Sequence, residues 1–373
     1  MKVFDELNPP ARLLLGPGPS PVHPRVMRAL AAPVIGHLDP ELIRLLDETR
    51  GLLRDVFRTS NDLALAVSGT GMAGMESVLG SLLEPGDRLV VCAAGFFGQR
   101  MGELAGRMGV AVTKVEKEWG EVFTPEEVDT AVAGAKPKAI AIVHAETSTG
   151  ALQPMDGLGD VAHRHDALLI VDCVTSLGGA PVLVDQWGVD AAYSGSQKCL
   201  GCPPGMAPVT LSPRARQAMA ARSRPAHGWY LDLELLERYW GGDRAYHHTI
   251  SSTLVYALRE GLRLVVEEGL EARWERHRTN AEMLWDGLEA LGLVLHVPDP
   301  ERRIPSLTTV HVPDGVDEAE VRGRLRDEYG IEIGAGLGPL KGKVWRIGLM
   351  GHGSQKANVI LLLAALVDLL RRP

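Results

Sequence analysis

The chain has 373 residues, 45% hydrophobic and 23% charged, a composition that excludes a disordered chain, a fibrous repeat and a disulfide miniprotein. At about 150 residues per domain, the length points to one large domain with a smaller one, or two of similar size. Lys plus Arg number 39 against 47 Asp plus Glu, so the net charge of −8 opposes a phosphate polymer; no nucleic acid partner is expected, and any anionic ligand needs a local site.

The start, Met-Lys-Val-Phe-Asp-Glu, has an acid where an export signal needs basic and then apolar residues. Four cysteines are too few for a disulfide framework in a chain of this length, which points to a reducing compartment, the cytoplasm by default. From Leu63 to about Leu211, short apolar runs alternate with amphipathic stretches, the pattern of βα units in a largely parallel sheet. Strands are expected near Leu63 to Val67, Arg88 to Ala93, Val110 to Val115, Ala139 to His144, Leu168 to Asp172, Ala191 to Ser194 and Ala207 to Leu211. Between them, Thr124, Pro125 and Glu127 form a capping-box start for one helix. A long helix from Thr253 to Glu268, with Leu254, Leu258, Leu262 and Val265 at helical spacing, is followed by another from Leu270 to Leu291, ended by Gly292. Strands near Thr308 to Val312, Ile331 to Ala335 and Val344 to Gly348 then mix with helices near Asp317 to Glu328 and Ser354 to Leu370, as in a small α/β domain. The longest apolar run, Val359 to Val367, is about half the roughly 20 residues of a membrane span and reads as a buried helix face, so no membrane partner is expected.

After the first of these strands, Ser68-Gly69-Thr70-Gly71-Met72-Ala73-Gly74 contains G-x-G-x-x-G. Such glycines let backbone N–H groups approach a phosphate at a helix start, which holds for any phosphate. A dinucleotide site also wants an acid at the end of the second strand, and Val90-Val91-Cys92-Ala93-Ala94-Gly95 supplies none. A phosphate that is not part of NAD is the preferred reading, beside a tight turn with no ligand.

Asp172 closes the apolar strand Leu168-Leu169-Ile170-Val171, at the carboxyl edge where open α/β sheets bind ligands. Taken alone it could cap the next segment. Ser194-Gly195-Ser196-Gln197-Lys198, after the next strand, places a lysine at the same edge. Partly desolvated and near other cations, a lysine loses its proton more readily and becomes a nucleophile able to form a Schiff base; in solvent it would be an ordinary loop residue.

With Leu15-Gly16-Pro17-Gly18-Pro19-Ser20, Glu84-Pro85-Gly86-Asp87, Glu146-Thr147-Ser148-Thr149-Gly150, Tyr246-His247-His248-Thr249 and Arg346-Ile347-Gly348-Leu349, these motifs run nearly end to end. In that order they resemble the class V aminotransferases, and most closely the alanine-glyoxylate and serine-pyruvate aminotransferase family. The resemblance implies an α/β protein of pyridoxal-phosphate fold type I, its large domain holding a mostly parallel seven-stranded sheet, with a small C-terminal α/β domain. It divides the chain into a segment 1–20 that serves the active site and dimer, a pyridoxal-phosphate domain 21–268 and a small domain 269–373. Lys198 would carry the cofactor as a Schiff base and move the substrate's α proton. Asp172 would pair with the pyridine nitrogen and Thr147 with the 3′ oxygen. Thr70, Gly71, Ser196 and Gln197 would hold the phosphate, Met72 would belong to the cofactor site, and Phe97 would stack on the ring. Tyr246 and Thr249 match positions that reach the phosphate of a neighbouring subunit, which implies a homodimer with shared sites.

Val344, Arg346 and Gly348 share one face of a strand, so Arg346 is expected to be buried and in need of an anion. By resemblance that anion is the substrate α-carboxylate, with Gly18 beside it, although an exposed edge arginine fits the pattern too. Two positions depart from the family: Phe97 stands where tryptophan is frequent, and Met72 where histidine is frequent. Cys199-Leu200-Gly201-Cys202 lacks a second pair for a zinc site, and His247-His248 and His163-Arg164-His165 lack helical metal spacing, so no metal is expected. The expected activity moves the amino group of alanine or serine to glyoxylate or pyruvate. A sister transaminase acting on ureidoglycine or aminoethylphosphonate is the alternative, with an NAD-dependent oxidoreductase behind it.

Overall fold

The computed structural model describes residues 6–371. Seven strands, β1 (Leu63–Ser68), β2 (Arg88–Ala93), β3 (Ala111–Glu116), β4 (Ala139–Val143), β5 (Leu168–Asp172), β6 (Ala191–Tyr193) and β7 (Met206–Leu211), form one sheet in the order β1-β7-β6-β5-β4-β2-β3. Only β7 runs against its neighbours; the other paired strands are parallel. The central strands are buried along their whole length, which is why they read as continuous apolar runs rather than alternating ones. Edge strand β3 is mostly exposed and carries Thr113, Lys114 and Glu116.

The capping box at Thr124 is present: its hydroxyl accepts from Glu127 N–H at 3.3 Å, and the Glu127 carboxylate accepts from Thr124 N–H at 2.8 Å. The two long helices are Ser252–Glu268 and Leu270–Ala290, separated by Gly269. In the first, Leu258, Leu262 and Val265 are buried as the spacing predicts, whereas Leu254 is only partly covered. Two N-terminal helices that the hydrophobic pattern did not single out, Pro24–Leu30 and Pro40–Phe57, pack against Ser252–Glu268.

A second hydrophobic core lies under β8 (Leu307–His311), β9 (Gly334–Ala335) and β10 (Val344–Gly348), in the order β8-β10-β9. Its two large indoles keep their N–H groups paired, Trp345 with the Glu318 carbonyl at 3.1 Å and Trp285 with Thr308 at 2.8 Å, so burying them leaves no unmet donor. The single strand expected over Ile331 to Ala335 is two short pieces serving different sheets. Ile331–Glu332 pairs in parallel with Leu13–Leu14, while Gly334–Ala335 joins Val344–Gly348. The apolar run at 359–367 lies in helix Lys356–Arg371, where Val359, Leu362, Ala365 and Leu366 are buried and Ile360 and Leu361 stay exposed. Among the described residues, no helix is long and apolar enough to cross a membrane.

Pairing by Leu13–Leu14 carries the next residues inward. Leu15 exchanges backbone bonds with Glu332 and Gly348, and Ser20 bonds the Gln197 carbonyl through its N–H at 2.9 Å and the Lys198 carbonyl through its hydroxyl at 2.7 Å. Gly16-Pro17-Gly18 is thereby stretched from the small sheet to Lys198.

Candidate active site

The parallel strands end at one edge, and the loops that leave this edge enclose a cavity of about 160 Å³. Thr70, Gly71 and Met72 from the turn and helix start after β1, Phe97 after β2, Thr147 after β4, Asp172 at the end of β5, and Gln197 and Lys198 after β6 all line it. Residues from five separate strands thus meet at the place where such sheets bind ligands.

Two helix starts flank this cavity and differ in how their N–H groups are met. Helix Gly71–Leu82 has no side-chain cap from Thr70, and among the described residues the N–H groups of Gly71 and Met72 find no acceptor. Beside them the buried Oε1 of Gln197 is also unpaired. An open helix start carries partial positive charge and free donors, the requirement of a phosphate. The other start, helix Phe96–Arg107, is fully satisfied by Glu146 and Ser148: Ser148 Oγ accepts from Phe96 N–H at 3.0 Å, and the Glu146 carboxylate from Phe97 N–H at 3.0 Å and Gly98 N–H at 3.3 Å.

Asp172 lies opposite Val143 on one side and Tyr193 on the other. Burial pushes its carboxyl up to about 7, against Val174 N–H, which donates at 2.8 Å, and the Tyr193 hydroxyl, both of which favour the anion. Lys198 donates to the Pro17 carbonyl; burial and the Arg346 charge bring its ammonium down to about 8. Gly18 passes so close that a Cβ there would sit 2.8 Å from Lys198 Nζ, and its φ of +102° is itself suited to glycine.

Arg346 is 7% exposed, as the strand pattern predicts, and donates to the Ala335 carbonyl at 2.6 Å and the Thr147 carbonyl at 3.1 Å. Burial lowers its pKa to about 10, with the Glu146 carboxylate acting in the opposite sense. Its hydrogen-bond partners are neutral carbonyls, so a buried guanidinium here has room for an anion.

Not every expected residue reaches the cavity. The Ser196 hydroxyl donates to the Pro203 carbonyl at 2.6 Å, in the turn before Lys198, and Ser196 is not among the residues that line the cavity. Tyr246 and Thr249 lie on the surface of their own chain, Tyr246 59% exposed with its ring against His37 at 4.9 Å. His248 bonds Ser68 at 3.0 Å and His247 the Tyr230 carbonyl at 3.2 Å. Cys199 and Cys202 are buried and use separate acceptors, the Thr175 carbonyl at 3.2 Å and the Ala257 carbonyl at 3.4 Å. Glu146 carries little signal in the sequence beyond its motif, an acid two residues before a serine after an apolar strand.

An open phosphate cradle, a buried carboxyl, an amine of lowered pKa and an aromatic face around one cavity fit the cofactor of a pyridoxal-phosphate-dependent enzyme. The family model for Aminotransferase class-V matches residues 17–347, and the chain belongs to that family. It is 44% identical to the (S)-ureidoglycine–glyoxylate transaminase of Bacillus subtilis, over 98% of this chain and 92% of the relative, and 45% identical to the alanine–glyoxylate aminotransferase of Oryctolagus cuniculus, over 97% and 93%. Among solved structures, the alanine–glyoxylate aminotransferase of Nostoc sp. superposes with a TM-score of 0.98 at 52% identity, covering 99% of this chain and 98% of that one.

Proposed function

We propose that this aminotransferase moves the amino group of a small amino acid, alanine or serine, to a small 2-oxo acid, glyoxylate or pyruvate. The observation that carries the reading is the buried Arg346, half-satisfied by carbonyls and within electrostatic reach of Lys198, beside the cofactor cavity. That arrangement suits a substrate with one carboxylate near the reacting carbon and a short side chain. Relatives named for alanine–glyoxylate and for ureidoglycine–glyoxylate transfer stand at nearly equal identity. The run Tyr246-His247-His248-Thr249 favours the alanine or serine branch by resemblance.

Bound pyridoxal phosphate supplies the electron sink for charge that develops on the substrate α carbon. Thr70, the N–H groups of Gly71 and Met72, and Gln197 hold its phosphate; Thr147 takes the 3′ oxygen and Phe97 one ring face. Asp172, ionised once a cation pairs with it, holds the ring nitrogen protonated. Lys198, as the amine, would move the proton between the substrate α carbon and C4′ of the cofactor, a task suited to a buried lysine of lowered pKa. Arg346 clamps the carboxylate and fixes the α carbon over Lys198.

The exposed Tyr246 and Thr249 complete a partner's phosphate site, which makes the enzyme a homodimer with shared sites. Two separate hydrophobic cores support the division into a segment 1–20, a cofactor domain 21–268 and a small domain 269–373. Four buried free cysteines support a cytoplasmic setting.

A half-reaction screen tests the substrate. The cofactor-loaded enzyme is mixed with single amino acids, and loss of the absorbance near ~420 nm expected of a lysine Schiff base is timed. Alanine or serine should lead the panel; a lead by ureidoglycine, or no response to either small amino acid, overturns the reading.

A further inference from the structure

Phe97 is the aromatic wall of the cofactor cavity, and a phenyl ring has no polar atom by which its plane could be anchored. Its position is therefore set by its backbone and by neighbouring rings. Phe96 meets it edge-on at 5.4 Å, and the Arg100 guanidinium covers Phe96 at 4.8 Å. The backbone belongs to the first turn of helix Phe96–Arg107, whose N-cap, Gly95, has no side chain to offer.

All three leading N–H groups of that turn are taken by one remote segment. Phe96 N–H goes to Ser148 Oγ, while Phe97 and Gly98 N–H share Glu146 Oε2. Glu146 Oε1 is fixed in turn by the Ser148 hydroxyl at 2.7 Å and Ser148 N–H at 3.1 Å. A buried carboxylate at the positive end of a helix, with both oxygens held, is a strong and directional cap. The space for it is made by Gly95, where a Cβ would lie 2.4 Å from Glu146 Cγ. On the far side of the same segment, the Thr147 carbonyl holds Arg346.

We propose that Glu146 is a positioning residue for cofactor binding: by capping the first turn of Phe96–Arg107 it fixes the Phe97 ring against the cofactor. The inference rests on the reading that Phe97 stacks on the cofactor ring. An amide in place of the carboxylate turns one oxygen into a donor facing N–H donors, so the first turn loses part of its cap and the ring loses its fixed plane. A Cβ on Gly95 displaces the same carboxyl group while leaving residue 146 a glutamate.

The test measures the dissociation constant of pyridoxal phosphate by fluorescence titration of cofactor-free enzyme, for wild type, Glu146→Gln, Gly95→Ala, Phe97→Ala and the double variant Glu146→Gln/Phe97→Ala. Glu146→Gln should weaken binding about tenfold. Gly95→Ala should weaken it in the same direction, and the double variant should bind no worse than Phe97→Ala alone, because Glu146 acts through the ring. If Glu146→Gln stays within about twofold of wild type, or if its effect adds fully to that of Phe97→Ala, the positioning role is wrong. A Phe97→Ala variant that binds cofactor like wild type overturns the stacking reading instead. Should Glu146→Gln fail to fold, the Gly95→Ala and Gly95→Ala/Phe97→Ala pair decides by the same rule.

Discussion

Asp172 and Lys198 face the same cavity from two strand ends, and burial drives both toward neutrality, the carboxyl up to about 7 and the ammonium down to about 8. Without the cofactor, Asp172 is more stable as the acid. Its folded pKa is raised above its ordinary 3.8, so its contribution to stability is complete below pH 3.8 and is lost as pH rises through about 7. Cofactor-free Asp172→Asn should lose this slope, flattening the fall in stability across that window by about 2–4 kcal/mol. Urea unfolding at several pH values measures it; a cofactor-free wild type whose stability does not decline from pH 4 to 7 relative to the variant contradicts the assignment. The loaded variant should also lose about 10²–10³-fold in kcat, since asparagine cannot hold a positive ring nitrogen.

The Arg346 charge is one cause of the lowered Lys198 pKa, after burial. In cofactor-free enzyme, modification of Lys198 by methyl acetimidate, followed by peptide mass analysis, should reach half its maximal rate near pH 8. In Arg346→Gln that midpoint should move to higher pH, because a like charge has been removed. The same variant should lose about 10²–10³-fold in kcat/KM for amino acid, mostly through KM, and Arg346→Lys should not restore it for want of a planar fork. A midpoint unmoved by the substitution would show that Arg346 does not act on the lysine.

Most of this site could be read from the chain because its pieces follow strands. A strand end fixes where Asp172 and Lys198 lie to within a residue, and all parallel strands end at one edge, so Thr70, Phe97, Thr147, Asp172 and Lys198 were bound to converge. Periodicity also predicted the burial of Arg346. It could not show what a side chain meets once there. The Ser196 hydroxyl turns back to Pro203 because its own loop supplies a carbonyl, and nothing in local sequence announces that bond. Glu146 was hidden for the opposite reason: its partners Phe97 and Gly98 lie 49 and 48 positions away, and a contact at that separation leaves no local pattern. The split of 331–335 between two sheets likewise depends on Leu13–Leu14 arriving from the other end of the chain.

Gly18 fills a position that no other residue can take without moving Lys198. An added Cβ would stand 2.8 Å from both Cδ and Nζ of the lysine, and φ of +102° disfavours any side chain. Gly18→Ala should cost about 1–3 kcal/mol of stability from backbone strain and displace the amine from its working position. Loss of kcat by about 10²-fold is the expected outcome, because the amine is displaced. An alanine variant with full kcat would place the amine elsewhere during turnover.

Tyr246 and Thr249 lie on the outside of their own chain and do not line its cavity, which suits the proposed role at a partner's phosphate. Replacing both, as Tyr246→Phe/Thr249→Ala, removes two donors to a dianion and should raise the cofactor dissociation constant about 10²-fold. A mixing experiment separates partner action from action within one chain. Protomers carrying Lys198→Ala have no catalytic amine, and protomers carrying the double change make a poor phosphate site for their neighbour. In a hybrid, the chain that keeps Lys198 receives intact Tyr246 and Thr249 from the other, so one complete site is rebuilt. Equal mixing after unfolding and refolding should therefore recover about a quarter of wild-type activity at limiting cofactor, where each parent alone shows almost none. If the residues served their own chain, the hybrid would contain no complete site and mixing would recover nothing.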